Sequence, residues 1–177
     1  MGQISGRELM ELMGTRRSVR RFRAGGLDPD TGERLVEAAV TAPTAGNVQP
    51  WHFVLAESRL VREKLSEAAL SQRQVADAPL VVVVCVDLER ARRAYGRRGE
   101  ALYCIQDSAA ATQNMLLMAH AMGLATCWVG AFDERAVGEV IDLASHLRPV
   151  ALIAVGVSER KPPGPGRRPL EEVVDRR

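Results

Sequence analysis

Four arginines, a threonine and a serine fall within Thr15-Arg-Arg-Ser-Val-Arg-Arg-Phe22. In an extended backbone, Arg16, Ser18, Arg20 and Phe22 share one side. Two guanidinium groups with a hydroxyl between them match a phosphate through paired N–H donors. A solvated basic turn would read the same way. An arm for nucleic acid fits less well, because the stretch is short and has no interleaved aromatics. A second candidate is Ala42-Pro-Thr-Ala-Gly-Asn-Val-Gln-Pro-Trp51. Its small residues let the backbone approach a flat ligand, and Asn47 and Gln49 offer donors and acceptors that a plain helix-to-strand connection does not require. Trp51 reads as a core anchor. A third, Cys127-Trp-Val-Gly-Ala-Phe-Asp133, is a strand end passing through glycine to a helix N-cap, where unpaired backbone N–H groups attract electron-rich atoms. The pair Arg167-Arg168 sits on a proline-stiffened tail that could deliver it to a remote site. Other chemistry is absent: His52, His120 and His146 are isolated, and no HxxH, HExxH, GxSxG, GxGxxG or Walker-type loop occurs. An enzyme without nucleophile, metal cage or acid–base pair depends on a bound cofactor.

The elements that would position these groups follow from periodicity. Short amphipathic helices are predicted over Gly6–Met13, ended by Gly14, and from Asp28-Pro29 to Val40. A strand is predicted over His52–Ala56, then a helix capped by Ser58 and running to Leu70. Residues 80–87, LVVVVCVD, read as a strand covered on both faces. The polar stretch 88–99 reads as a mobile loop or lid. Glu100–Met122 is the longest helix, apolar nearly all round and carrying Ser108-Ala-Ala-Ala-Thr112, so it must be enclosed by protein, with a second subunit as one neighbour. Asp107 within it is the acidic residue whose burial would need explaining. Strands Leu124–Val129 and Val150–Val157 flank a helix capped by Asp133. The prolines at 162, 163, 165 and 169 make the tail an extended arm. These elements predict an α+β fold with a mixed sheet.

Composition sets the bounds. The 177 residues are 46% hydrophobic and 26% charged, with a net charge of +2. That suits one domain with its own core, and excludes intrinsic disorder and a strongly charged chain. Of the 24 basic residues, all but Lys64 and Lys161 are Arg, a bias that genomic base composition alone can produce. Cys85, Cys104 and Cys127 lie in apolar stretches without a CxxC pair, which predicts buried free thiols. No signal-peptide pattern opens the chain, and the apolar region 101–122 is interrupted by Gln106, Asp107, Gln113, Asn114 and His120, so a soluble cytoplasmic domain is expected.

Taken in order, RRSVRRF, APTAGNVQPWHFV, VADAPLVVVVCVD, QDSAAATQNMLLMAHAMGLATCWVGAFD and RRPLEEVV resemble the FMN-dependent nitroreductase family over about residues 9–174. The resemblance implies one domain over 1–177 and a homodimer with FMN at the subunit interface. It also implies a long central interface helix and a C-terminal arm, from about 160, that wraps the partner. It implies that Arg16 and the Arg167/Arg168 region hold the phosphate. Arg17 and Ser18 would contact the phosphate or ribityl chain, and Arg20 the pyrimidine edge. Pro43, Thr44, Ala45, Asn47 and Gln49 of the other subunit would lie against the ring, with Trp128, Val129 and Gly130 on its other side and a backbone N–H near Gly130 directed at N5. Ser71 and Gln74 stand where larger members have Asn and Lys, which implies a lower flavin potential. Ala45 and Gly46 replace serines and larger residues. The implied activity is ping-pong hydride transfer from NADH or NADPH through FMN to nitroaromatic, quinone or flavin acceptors. A biosynthetic flavoenzyme and a non-catalytic dimeric module for a phosphate ligand remain as alternatives.

Overall fold

The computed structural model describes residues 4–158, 160 and 162–177; of the expected arm, Lys161 lies outside them. The elements are α1 (Gly6–Thr15), α2 (Thr31–Ala39), β1 (Trp51–Ala56), α3 (Arg59–Ala68), α4 (Arg73–Asp77), β2 (Leu80–Asp87), α5 (Leu88–Arg98), α6 (Cys104–Ala121), β3 (Ala125–Val129), α7 (Glu134–Val140) and β4 (Leu147–Gly156). The fold is α+β, with the sheet order β1-β2-β4-β3. All three strand pairs are antiparallel, and the parallel component of the expected mixed sheet is the single bridge from Ser18 to Thr126.

The apolar run of β2 is explained by its position. Leu80, Val82 and Val84 pack with Leu35, Ala39, Met115 and Ala119 of α2 and α6 on one face. Val81, Val83 and Cys85 pack with Leu65, Val75 and Val137 of α3, α4 and α7 on the other. A strand sandwiched this way needs no polar alternation. Strand β4 begins at Leu147, three residues before the predicted start at Val150. The register steps from Val84–Ala151 to Cys85–Pro149, so a bulge accommodates a proline that lacks an N–H.

The 88–99 stretch is an ordered helix rather than a loop. Asp87 caps it through Oδ1 to the Arg90 N–H at 2.8 Å, and Glu89 pairs with Arg93 one turn later. Only Ala91 is buried, which is why its sequence looks solvated throughout. The helix kinks at Tyr95 and Gly96 and continues through a π-helical turn, Gly99–Tyr103, into α6. Along α6 one stripe is buried, namely Cys104, Asp107, Ser108, Ala111, Thr112, Met115, Leu116 and Ala119. The three cysteines are free and buried. No described helix is long and apolar enough to cross a membrane, and no cluster of metal-ligating side chains occurs among the described residues.

Candidate functional site

The basic segment leaves α1 in extended conformation and runs beside β3. Arg16 is the C-cap of α1, with φ −61° and ψ 137°, and the Val19 N–H donates to Thr126 O at 2.8 Å. The alternation expected from sequence holds. Phe22 packs into the cluster that contains Cys127, and Arg20 and Arg16 both act electrostatically on the Cys127 thiol. Burial pushes that thiol up, and the two cations partly offset it. Neither Arg16, Arg17 nor Arg20 pairs with a carboxylate among the described residues, although seven other arginines do. Arg17 points elsewhere. Its Nη1 donates to Gly14 O at 2.6 Å, and its guanidinium lies against Gly164, where a Cβ would come within 2.5 Å of Nη2.

At the end of β3, Trp128 is 39% exposed and Val129 is buried, and the Gly130 that follows is open. A Cβ added at Gly130 would meet nothing closer than Trp128 Nε1 at 3.9 Å, so a flat group can approach the backbone. The α3–α4 turn docks on the same strand end. Gln74 is buried and donates to Gln72 Oε1 at 2.9 Å, and Gln72 Nε2 donates to Ala131 O at 2.9 Å. Ser71 is exposed in this turn with φ 56°. Arg16, Ser18, Arg20, Gln74 and the 128–130 backbone thus gather at the β3 edge. Gln72 escaped the sequence reading; only its place beside Gln74 could have signalled it.

The other candidate segment lies elsewhere. Pro43, Thr44, Ala45, Asn47 and Gln49 precede β1 at the opposite edge of the sheet. Three interstrand steps separate the edges, about 14 Å at roughly 4.8 Å each. Trp51 is level with Val86 and Arg148, whereas Thr126 is level with Val155, so the two corners are offset along the strands as well. The diagonal is roughly 25 Å. One chain does not bring both halves together.

The turn itself is held from several sides. Its Ala45 N–H donates to Asp107 Oδ1 on α6 at 3.2 Å, Arg90 Nε donates to Val48 O at 2.5 Å, and the Gln49 N–H donates to Thr44 Oγ1 at 3.1 Å. The Tyr95 hydroxyl sits where a Cβ on Gly46 would go. Trp51 packs half-buried against the core, as a core anchor should. Arg167 and Arg168 are exposed on the arm. Arg168 is occupied by Glu172, Nε to Oε2 at 3.1 Å, whereas Arg167, among the described residues, reaches the carbonyls of Pro165 and Gly166.

Comparison with known proteins agrees with this architecture. A protein of Archaeoglobus fulgidus, provisionally named NADH dehydrogenase/NAD(P)H nitroreductase, is 31% identical over 153 residues, covering 84% of this chain and 84% of its own. The structure of ydfN from Bacillus subtilis, provisionally named a nitroreductase, superposes with a TM-score of 0.87 at 25% identity over 96% of this chain and 99% of its own. The NADPH:FMN oxidoreductase of Vibrio harveyi, solved with NAD+, shares the fold at a TM-score of 0.85 and 24% identity, covering 94% of this chain and 76% of its own. The sequence profile of the nitroreductase family matches residues 13–157, and the chain belongs to that family.

Proposed function

We propose that two copies of this chain jointly bind FMN and pass reducing equivalents from NAD(P)H to an electron-poor acceptor such as a nitroaromatic, a quinone or a flavin. The observation that carries this reading is the separation of the two candidate halves. A phosphate-type donor set lies at one corner of the sheet and a small-residue turn at the diagonal corner, so a site using both needs a second copy. Unburied apolar surface supports the same assembly. No residue of α1 is buried, and Met10 is 69% exposed; Leu170 on the arm is 76% exposed. Surfaces of this kind mark contacts with other proteins.

The donor set at the β3 edge suits a phosphate-tailed flat cofactor. Arg16 and Arg20 offer charge-assisted hydrogen bonds not already taken by carboxylates, and Ser18 adds a hydroxyl between them. Arg16 holds the phosphate and Arg20 the pyrimidine edge, while Ser18 lies along the ribityl chain; Arg17, turned to Gly14 O and Gly164, is not part of this set. From the arm, Arg167 is the better placed to add a cation, because Glu172 already neutralises Arg168. Trp128, Val129 and Gly130 back the ring, and the other copy's Pro43, Thr44, Ala45, Asn47 and Gln49 close over it. Bound flavin would supply reversible hydride uptake between donor and acceptor. The protein supplies orientation and charge, and no side chain here is required as a base. Ser71 and Gln74 bring no cation to the pyrimidine side, so the charge that steadies a reduced ring comes from Arg20, and a low potential is expected. The test is the absorption spectrum of purified protein. A flavin spectrum that bleaches with NADH or NADPH under anaerobic conditions supports the reading. A colourless protein that ignores added FMN, or one that binds another phosphate compound without oxidising either nicotinamide, contradicts it.

A further inference from the structure

The inference here rests on the reading that the turn at residues 43–49 closes over cofactor held by the other copy. Gly46, Asn47 and Gln49 have φ of 55°, 56° and 52°, all in the left-handed region. Glycine enters it freely and asparagine at little cost, whereas Gln49 needs external support. Internal bonds such as Gln49 Nε2 to Asn47 Oδ1 at 3.1 Å are exposed to water. The anchors from outside are Arg90 at Val48 O, Tyr95 over Gly46, and Asp107 at the Ala45 N–H. Arg90 and Tyr95 are on the exposed helix α5. Asp107 alone comes from the packed helix α6 and is 8% exposed. No cation pairs with it among the described residues. Burial pushes its carboxyl up, and the Ala45 N–H draws it partly back. A carboxylate held this way lowers stability relative to a neutral isostere. Packing of α6 gives no reason to keep it, since its neighbours Ser108, Ala111 and Thr112 are small and neutral.

We propose that Asp107 is a positioning residue, whose carboxylate fixes the register of the Pro43–Gln49 turn so that Asn47 and Gln49 meet the ring edge of the cofactor held by the other copy. The bond ties the turn to the same rigid helix that supports the sheet.

Amide hydrogen exchange in the flavin-free full chain tests the latch directly. With Asp107→Ala, amides 45–49 should exchange about tenfold faster while those of β2 and β4 stay unchanged, the signature of a local opening. Asp107→Asn should recover most of the protection, because its carboxamide oxygen still accepts from the Ala45 N–H, and its shape guards against a folding failure. In titrations of the full chain with FMN, Asp107→Ala should raise the dissociation constant about tenfold, and Asp107→Asn should stay within about threefold of wild type. Unchanged exchange in Asp107→Ala, an Asn variant as loose as the Ala variant, or a loosened turn with unaltered FMN affinity would each overturn the assignment. If wild-type protein takes up no flavin, the functional reading fails, and the exchange experiment alone decides whether Asp107 sets the turn.

Discussion

Arg16 and Arg20 lie on the same side of one extended segment, both close enough to Cys127 to act on its thiol, and neither has a carboxylate partner among the described residues. The proposed roles differ: Arg16 takes the phosphate and Arg20 the ring. Riboflavin, which lacks the phosphate, separates them. A charge-assisted hydrogen bond contributes about 1.5–3 kcal/mol, or roughly 10- to 150-fold in affinity. Arg16→Ala should therefore weaken FMN binding by about that factor and leave riboflavin binding within about twofold. Arg20→Ala should weaken both flavins by similar factors. Neither substitution breaks an ion pair, so melting temperatures should stay close to wild type, and the loss is attributable to the ligand. Quenching of flavin fluorescence in titrations of apoprotein measures both constants. Equal losses for FMN and riboflavin in Arg16→Ala would refute the phosphate role, and wild-type affinity in both variants would refute the site.

Two further substitutions probe the scaffold. Gly46→Ala places a methyl group against the Tyr95 hydroxyl at a positive φ; it should lower stability by about 1–3 kcal/mol, or roughly 3–10 °C in Tm, and a melting curve matching wild type would contradict the packing. Glu134→Gln breaks the fork in which Arg148 donates from Nε and Nη2 to Glu134 at 2.7 Å each. Both side chains are half-exposed, so the loss should be no more than about 1 kcal/mol. The Arg148 hydrogen bond holds the Glu134 carboxyl below its usual range, so the contribution is present above the unfolded value of about 4.3 and fades as pH falls through the lower folded value. Urea titrations at neutral and acid pH should show the variant's deficit only at the former; a deficit that persists in acid would contradict the linkage.

Parts of the site were legible in sequence because they depend on local alternation. The shared side of Arg16, Ser18, Arg20 and Phe22 needs only an extended backbone, and the double-sided cover of β2 follows from its run of valines. Pairing order is different, since it is decided by which helices dock where. Nothing local tells that the turn before β1 and the arginines beside β3 occupy opposite edges. Strand direction was hidden for the same reason, and the parallel element reduces to the Ser18–Thr126 bridge. Helix α5 was obscured because only Ala91 in it is buried, although the Asp87 cap and the Glu89–Arg93 spacing were there to be read. Asp107 could be flagged from its position in an apolar helix, but its partner, the Ala45 N–H, is 62 residues away. The arm's arginines were separable only in three dimensions, where Glu172 occupies Arg168.

The claim that two copies build each site has a direct test in subunit complementation. One variant carries Arg16→Ala and Arg20→Ala; the other carries Asn47→Ala and Gln49→Ala. Each alone should show little FMN-dependent NAD(P)H oxidation. Refolded together in equal amounts, half of the dimers are hybrids with one intact site, so activity should return to about one quarter of wild type. A mixture no more active than its two components would contradict the account.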